Sequence, residues 1–168
     1  KDSFVHYDLW QEGATGLDFL FPNAMLEDSH GNFLLGTGKG IFQLEQGRQF
    51  VKTGLASSGF VTSLMEDSHG LLWAAAWNSD PGVSVFHWKE EIGWTPNRQF
   101  RPAAQRENGL QSNRVLKVFE DSQRAIWIVS FGGLDLYDRE SDDFTHFLSG
   151  QKVNDIEEDA KGRLWVAT

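Results

Sequence analysis

The chain has 168 residues, of which 40% are hydrophobic, 13% aromatic and 23% charged, with a formal charge of −9 at pH 7. These proportions are typical of a folded domain. The acidic balance argues against a nucleic-acid-binding protein, which needs clustered Lys and Arg, because the basic residues are scattered and are densest only between positions 89 and 106. No apolar run reaches the roughly 18 residues of a membrane span, and the absence of Cys is compatible with an oxidising compartment.

Four near-copies of one acidic phrase divide the chain into units. The Glu of this phrase occurs at positions 27, 66, 120 and 158, at intervals of 39, 54 and 38 residues. A unit of about 40 residues is in the range of a four-stranded propeller blade, and the long interval indicates an insertion in the second unit. With 17 Gly and no sustained 3.6-residue apolar period, the chain is predicted to be all-β.

The first unit, residues 4–53, sets the pattern for the others. Asp28 opens a tight turn by accepting backbone N–H groups, and Gly31 supplies the left-handed conformation that closes the hairpin. A short apolar second strand follows, then a third strand over 40–44 that alternates in polarity. The fourth strand, over 49–52, is weaker, as expected for the outer edge of a propeller blade.

The second unit, residues 60–103, has the same order of elements. An apolar innermost strand over 61–65 leads into the turn of Asp67 and Gly70, and Trp73 follows in the second strand. Third and fourth strands are predicted over residues 82–86 and 99–101.

Residues 87–98 of this unit break the pattern, because they extend the hairpin between its third and fourth strands. Their exposed rings and mixed charges suit a contact with a partner or a neighbouring domain. The alternative is a hairpin that is held by its own Trp88 and Trp94.

The third unit, residues 114–147, and the incomplete fourth unit, residues 152–168, contain further copies of the phrase. Arg124 stands where the other turns have Gly. The remaining repeat positions are Asp121, Trp127, Asp159, Gly162 and Trp165. Because propellers close with at least about four blades, this single partial propeller is expected to be cut from a larger one.

The repeated units resemble a known family. An apolar innermost strand, the phrase E-D-S-x-G, a Trp, an aliphatic pair, a Gly-initiated strand and a G-L link together resemble the two-component regulator propeller repeat over nearly the whole chain. The best copies are residues 61–76, 115–137 and 153–168, and the first copy has Leu34 where the others have Trp. The predicted fold is a β-propeller fragment of about three and a half four-stranded antiparallel blades, whose first partners are the remaining blades of its parent chain.

The resemblance also implies a function. Such repeats occur on the periplasmic or extracellular side of bacterial membrane-anchored signalling proteins, whose output is usually a histidine kinase. The segment would then be a non-catalytic sensor or signal relay without a cofactor, its ligand a glycan or oligosaccharide, and its parent a homodimer. The alternatives are a propeller enzyme of the polysaccharide lyase or quinoprotein type, whose quinoprotein repeat has a different spacing, and a protein-binding scaffold.

The repeated residues are predicted to be scaffold rather than a site. One active site does not need four Glu–Asp pairs, and a calcium loop would require further oxygen ligands. The turn histidines His30 and His69 are expected to lie apart around the ring, so no metal is predicted. Trp73, Trp127 and Trp165 recur between aliphatic residues and are expected to pack between blades, so that Trp127→Ala would cost about 3–5 kcal/mol.

Ligand contacts are expected on the face where the loops between second and third strands emerge together with the links between blades. Trp77, Asn78 and Asp80 are the leading candidates, because an aromatic ring beside amide and carboxylate groups suits a sugar. The alternative is that Trp77 simply packs its loop onto the blade. Further candidates on this face are Lys39, Phe131 and Asn113, and the links also contain Asn23, Ser57 and Ser58.

Overall fold

A computed structural model describes residues 21–46, 49–55, 59–102 and 109–168, and fourteen β-strands lie within these ranges. They form three four-stranded sheets and one two-stranded sheet, all antiparallel, and each sheet keeps its strands in sequence order. Such consecutive sheets are the blades of a propeller. The chain is therefore an all-β propeller fragment, which confirms the predicted fold class. Residues 4–20 of the first predicted unit, with Ser57 and Ser58, lie outside the described residues.

The strands of the first blade are β1 (Pro22–Glu27), β2 (Phe33–Thr37), β3 (Gly40–Glu45) and β4 (Gln49–Lys52). Those of the second are β5 (Phe60–Glu66), β6 (Leu71–Trp77), β7 (Val83–Lys89) and β8 (Gly93–Phe100). Those of the third are β9 (Val115–Glu120), β10 (Ile126–Ser130), β11 (Gly133–Asp138) and β12 (Asp143–Phe147). The fourth blade has β13 (Asp155–Glu158) and β14 (Leu164–Ala167). Within the described ranges, no helix is long and apolar enough to cross a membrane.

One aspartate turn joins the first two strands of every blade. In the second blade, Asp67 Oδ1 accepts two backbone N–H groups at 2.9 and 3.0 Å, and the N–H of Gly70 donates to the Asp67 carbonyl at 2.9 Å. Gly70 has a φ of +70°, where glycine is the least strained residue. Arg124 adopts the same conformation in the third blade, at φ 65°, and keeps the bond to the Asp121 carbonyl at 2.9 Å. The turn therefore forms without its glycine.

The hydrophobic core lies between neighbouring blades. Trp73 is 1% exposed and contacts Phe100 of its own blade and Tyr137 of the next, with ring centroids 5.8 and 5.6 Å apart. Trp127 is half-buried and Trp165 is 61% exposed. This gradient reflects the number of described strands in the next blade along the chain, which is four for Trp73, two for Trp127 and none for Trp165. The expectation of a packed indole therefore fails for Trp165 among the described residues.

The serine and glutamate of the phrase join each blade to the next. The Glu66 carboxylate accepts both the backbone N–H and the hydroxyl of Ser29, each at 2.6 Å. The same two bonds link Ser68 to Glu120 and Ser122 to Glu158. Because each bond is made to a charged carboxylate, it belongs to the stronger class of hydrogen bonds.

The fourth strand of the second blade is longer than predicted. β8 has eight residues, Gly93–Phe100, whereas the sequence indicated a short edge strand at 99–101. It pairs with β7 from Val83↔Phe100 to Lys89↔Gly93. Residues 87–98 thus form two paired strands and a tight turn, because the insertion lengthens both partners of one hairpin.

This hairpin contacts the first blade. The Trp94 Nε1–H donates to Asp28 Oδ2 at 2.7 Å, and the Trp88 ring stacks on His30 with centroids 3.9 Å apart. In the second blade the equivalent bond is internal, from Trp73 Nε1 to Asp67 at 2.6 Å. Trp94 therefore supplies from a neighbouring blade the indole that β2 lacks at Leu34.

Candidate functional site

The innermost strands surround a cavity of about 660 Å³ at the face where the loops between second and third strands emerge. Its lining residues are Asn23, Phe60, Thr62, Trp77, Leu116 and Asn154. Four of them share one repeat position, four residues before the Glu of the phrase, so that every blade contributes one side chain. We call this cavity, with those six residues, the channel mouth. It combines amide, hydroxyl and aromatic groups, which is the composition of a small-molecule site.

Trp77 provides the largest ring of the channel mouth. It is the last residue of β6, directly opposite Phe60 of β5, and not part of the loop as the sequence suggested. Its ring meets the edge of Phe131 from the third blade, with centroids 4.4 Å apart at 89°. Trp77 is half-buried, so the ring both packs against a neighbouring blade and lines the cavity.

Asn78 lies beside this ring and is held by the next blade. Arg114 Nε donates to Asn78 Oδ1 at 3.1 Å, and the Arg114 guanidinium carbon is 5.9 Å from the centroid of the Trp77 ring. Asn78 has a φ of 52°, a left-handed conformation that Asn tolerates better than most residues. The structure therefore brings three predicted residues together: Trp77, Asn78 and Phe131.

Of these three residues only Trp77 lines the channel mouth, and the other predicted residues, Asp80, Asn113 and Lys39, do not line it either. Asp80 forms an ion pair with Arg101 at 2.8 Å. Asn113 is half-buried in the link before β9. Lys39 is exposed in the turn between β2 and β3, where its backbone N–H donates to a threonine hydroxyl at 3.0 Å. Their assignment as ligand contacts stays a prediction.

Only some of the residues that line the channel mouth are predicted from the sequence. Asn23 is predicted among the link residues, whereas Thr62, Leu116 and Asn154 are not among the predicted contacts. A signal for them is present, because all four occupy the position four residues before the phrase Glu. Side chains at one position of an inner strand point to the same place in successive blades.

The repeated aspartates bind their own turns. Asp159 accepts the backbone N–H groups of Lys161 and Arg163 and the indole N–H of Trp165, at 2.9, 3.1 and 3.0 Å. These bonds, chiefly that from the indole, lower the pKa of Asp159 to about 2. Among the residues that the structure describes, no group of three or more His, Asp or Glu side chains could hold a metal ion.

Comparison with known proteins gives one family match. Residues 148–168 match the family model described as "Two component regulator propeller". No curated protein matches the chain.

Two similar solved structures are extracellular domains from B. thetaiotaomicron proteins assigned as hybrid two component systems. BT3049 has a TM-score of 0.70 and 20% identity over 97% of this chain and 22% of its own. BT4673 has a TM-score of 0.68 and 19% identity over 87% and 21%. This chain thus spans about a fifth of their length, and at such identities the likeness shows the fold.

A third similar structure is an enzyme: a catalytically inactive virginiamycin B lyase from Staphylococcus aureus with quinupristin. Its TM-score is 0.60, with 16% identity over 87% of this chain and 48% of the lyase. The fold is therefore shared by sensors and at least one enzyme. The repeated sequence distinguishes between these proteins better than the fold does. The unit at residues 148–168 matches the family model, and it contains the phrase and the aspartate turn that also occur in the three preceding blades. The match to the two-component regulator propeller family is therefore to the last of the described repeats, and the solved structures show that the fold is the same.

Proposed function

We propose that the chain is a ligand-sensing or signal-relaying segment in the extracytoplasmic region of a bacterial two-component sensor, and that it binds an oligosaccharide without catalysis. The family match at residues 148–168 and the two similar extracellular domains support a sensor on the outer side of a membrane. The segment would act within a longer chain, whose remaining blades are its partners.

The observation that carries the proposal is the composition of the channel mouth. Trp77 and Phe60 offer aromatic faces for the apolar side of a sugar ring. Asn23, Thr62 and Asn154 offer amide and hydroxyl groups to sugar hydroxyls. Since each blade contributes one residue at the repeat position four residues before the Glu of the phrase, a bound ligand would contact all four blades at once.

Isothermal titration of the full-length protein with neutral and acidic oligosaccharides tests the proposal. We expect binding by at least one of them, and an affinity about tenfold lower for Trp77→Ala, because an aromatic contact contributes about 0.5–1.5 kcal/mol beyond its buried area. Trp88→Ala, which removes an indole from the opposite face, is the matched control and should bind normally. Equal loss in both variants, or no binding at all, would contradict a site at the channel mouth.

Signal transfer is expected to rely on a rigid fold. A propeller changes little internally, so the response is expected as a shift between propellers or between the two subunits of a homodimer. Small-angle scattering of the full-length protein with and without ligand measures such a shift, and sedimentation gives the number of subunits. An unchanged scattering curve at saturating ligand would argue against a relay.

A second candidate function is a lyase, favoured by the likeness to virginiamycin B lyase. Mass spectrometry of quinupristin and of oligosaccharides after incubation with the protein separates the two functions. Cleavage that is lost with a variant at the channel mouth would favour the enzyme, whereas binding without any change of mass favours the sensor.

A further inference from the structure

A second repeat position lies on the rim of the channel mouth. Six residues before the Glu of the phrase, successive blades carry Phe21, Phe60, Arg114 and Lys152. The first two blades thus contribute aromatic rings and the last two contribute cations. Phe21 and Phe60 are 53% and 40% exposed, and both basic side chains are exposed as well.

Each of these side chains touches its neighbours around the mouth. The rings of Phe21 and Phe60 stack with centroids 6.0 Å apart. Lys152 Nζ lies 4.4 Å from the centroid of Phe131, just as Arg114 lies 5.9 Å from that of Trp77. With the Trp77–Phe131 contact, the aromatic and basic groups form one continuous arc across the four blades.

Within the described ranges, neither Arg114 nor Lys152 forms an ion pair. Two acids close in sequence to residues of the arc pair with other cations. Asp80, two residues after Asn78, pairs with Arg101 at 2.8 Å, and Asp155, three residues after Lys152, pairs with Lys117 at 2.9 Å. The chain as a whole carries a formal charge of −9, so Arg114 and Lys152 are opposite in sign to its net charge.

We propose that the channel mouth selects an acidic oligosaccharide, with the aromatic half of the rim against its sugar rings and Arg114 and Lys152 binding its carboxylate or sulfate groups. Charged partners strengthen hydrogen bonds, and an aromatic face suits the apolar side of a sugar. The inference rests on the proposed function and adds the chemical class of the ligand.

The cations could instead serve only to stabilise the arc through cation–π contacts. That structural role predicts that removing a cation changes stability but not the preference between acidic and neutral ligands. Binding selectivity therefore distinguishes the two interpretations.

The test compares three probes in the full-length protein by isothermal titration. Tetragalacturonate supplies carboxylates, its carboxyl-reduced tetragalactose counterpart is neutral and otherwise matched, and a carrageenan tetrasaccharide supplies sulfates. We expect the acidic probes, or one of them, to bind at least about tenfold more tightly than the neutral one, with a preference that falls as salt is added. Which acidic probe binds identifies the anion.

Arg114→Met and Lys152→Met should each reduce the affinity for the acidic probe by about tenfold and leave any binding of the neutral probe unchanged. Lys161→Met, which removes the same charge from the exposed turn at the other end of the fourth blade, is the matched control and should bind as the unmodified protein does. Circular dichroism and thermal midpoints confirm that the variants fold.

The outcomes separate this inference from the proposed function. The neutral probe could bind as tightly as the acidic probes or more tightly, with this binding lost in Trp77→Ala but not in the Met variants. That result would overturn the proposal of an acidic ligand and leave the proposed sensor function standing. Binding of no probe, or binding that is unaffected by Trp77→Ala, would overturn both. If Lys161→Met lost as much affinity for the acidic probe as the two rim variants, the binding would reflect general charge attraction. That result would also contradict specific binding by Arg114 and Lys152.

Discussion

At the scale of single residues, the aspartate of the phrase organises each blade. Its Oδ1 accepts backbone N–H groups of the turn, and its Oδ2 accepts an indole N–H. In the second blade Asp67 Oδ2 also accepts Arg139 of the third blade at 3.0 Å. A buried carboxylate is costly unless it is fully hydrogen-bonded, and Asp67 is only 5% exposed. The bonds of the turn therefore explain why Asp recurs at this position.

The lowered pKa of Asp159 gives a pH-dependent prediction. Its value of about 2 in the folded chain lies below the ordinary 3.8, so folding favours the ionised form. The stabilising contribution is present above pH 3.8 and is lost as the pH falls through about 2. An NMR titration of the Asp159 carboxyl should show a midpoint near 2.

Trp165→Phe provides the control for this titration. Because the indole N–H is the largest cause of the shift, its removal should raise the midpoint towards 3.8 while the backbone bonds remain. A midpoint that is the same with and without the indole would show that the backbone bonds of the turn and the Arg163 side chain, which donates to Asp159 Oδ2 at 2.7 Å, lower the pKa without it.

At the scale of elements, the β7–β8 hairpin is what completes the first blade. Leu34 is fully buried at the offset where the other blades carry Trp, so no residue of that strand donates an indole N–H to Asp28. Trp94, 8% exposed, makes this bond from the second blade, and Trp88 covers the turn at His30. The insertion thus compensates for a substitution in another unit.

Trp94→Phe tests this compensation. It keeps an aromatic ring but removes the N–H that reaches Asp28, which is 5% exposed. Leaving a buried acceptor short of a donor should lower the free energy of unfolding by about 1–3 kcal/mol, as measured by chemical denaturation. In a double-mutant cycle with Asp28→Asn, the coupling energy should be about 0.5–3 kcal/mol.

Trp88→Phe is the comparison for that cycle. It changes the ring stacked on His30 without removing a bond to Asp28, so it should show little coupling to Asp28→Asn. Strong coupling of both variants would indicate that the hairpin acts through general packing and not through the indole bond.

The blades could be predicted from the sequence because one phrase marks the same turn in each of them. The Ser29–Glu66 bonds could not, since they require the relative placement of two blades. Nor could Trp94 be predicted as a partner of Asp28, because 66 residues separate them and no periodicity links them. The lining of the channel mouth is partly predictable. Counting back four residues from the Glu of the phrase identifies Asn154 and its equivalents in the other blades.

At the scale of the whole molecule, stability is distributed over the interfaces between blades. Each interface has a buried apolar cluster and a serine–glutamate pair, so neighbouring blades stabilise each other as in other repeat proteins. The exposure of Trp73, Trp127 and Trp165 rises in step with the loss of covering strands. The contribution of each tryptophan to the free energy of unfolding should therefore depend on how many strands of the next blade cover it.

Trp73→Ala and Trp165→Ala measure this dependence. Trp73 is 1% exposed, so its truncation should lower the free energy of unfolding by about 3–5 kcal/mol. Trp165 is 61% exposed, and in the 168-residue chain its truncation should cost less than about 1 kcal/mol, as for other surface positions. In a longer protein where a blade of the same repeat comes after Ala167, that blade should bury the indole and raise the cost of Trp165→Ala to that of Trp73→Ala. Chemical denaturation of both proteins compares the two costs, and a cost that stays small in the longer protein would mean that the next segment does not pack on the fourth blade as the third packs on the second.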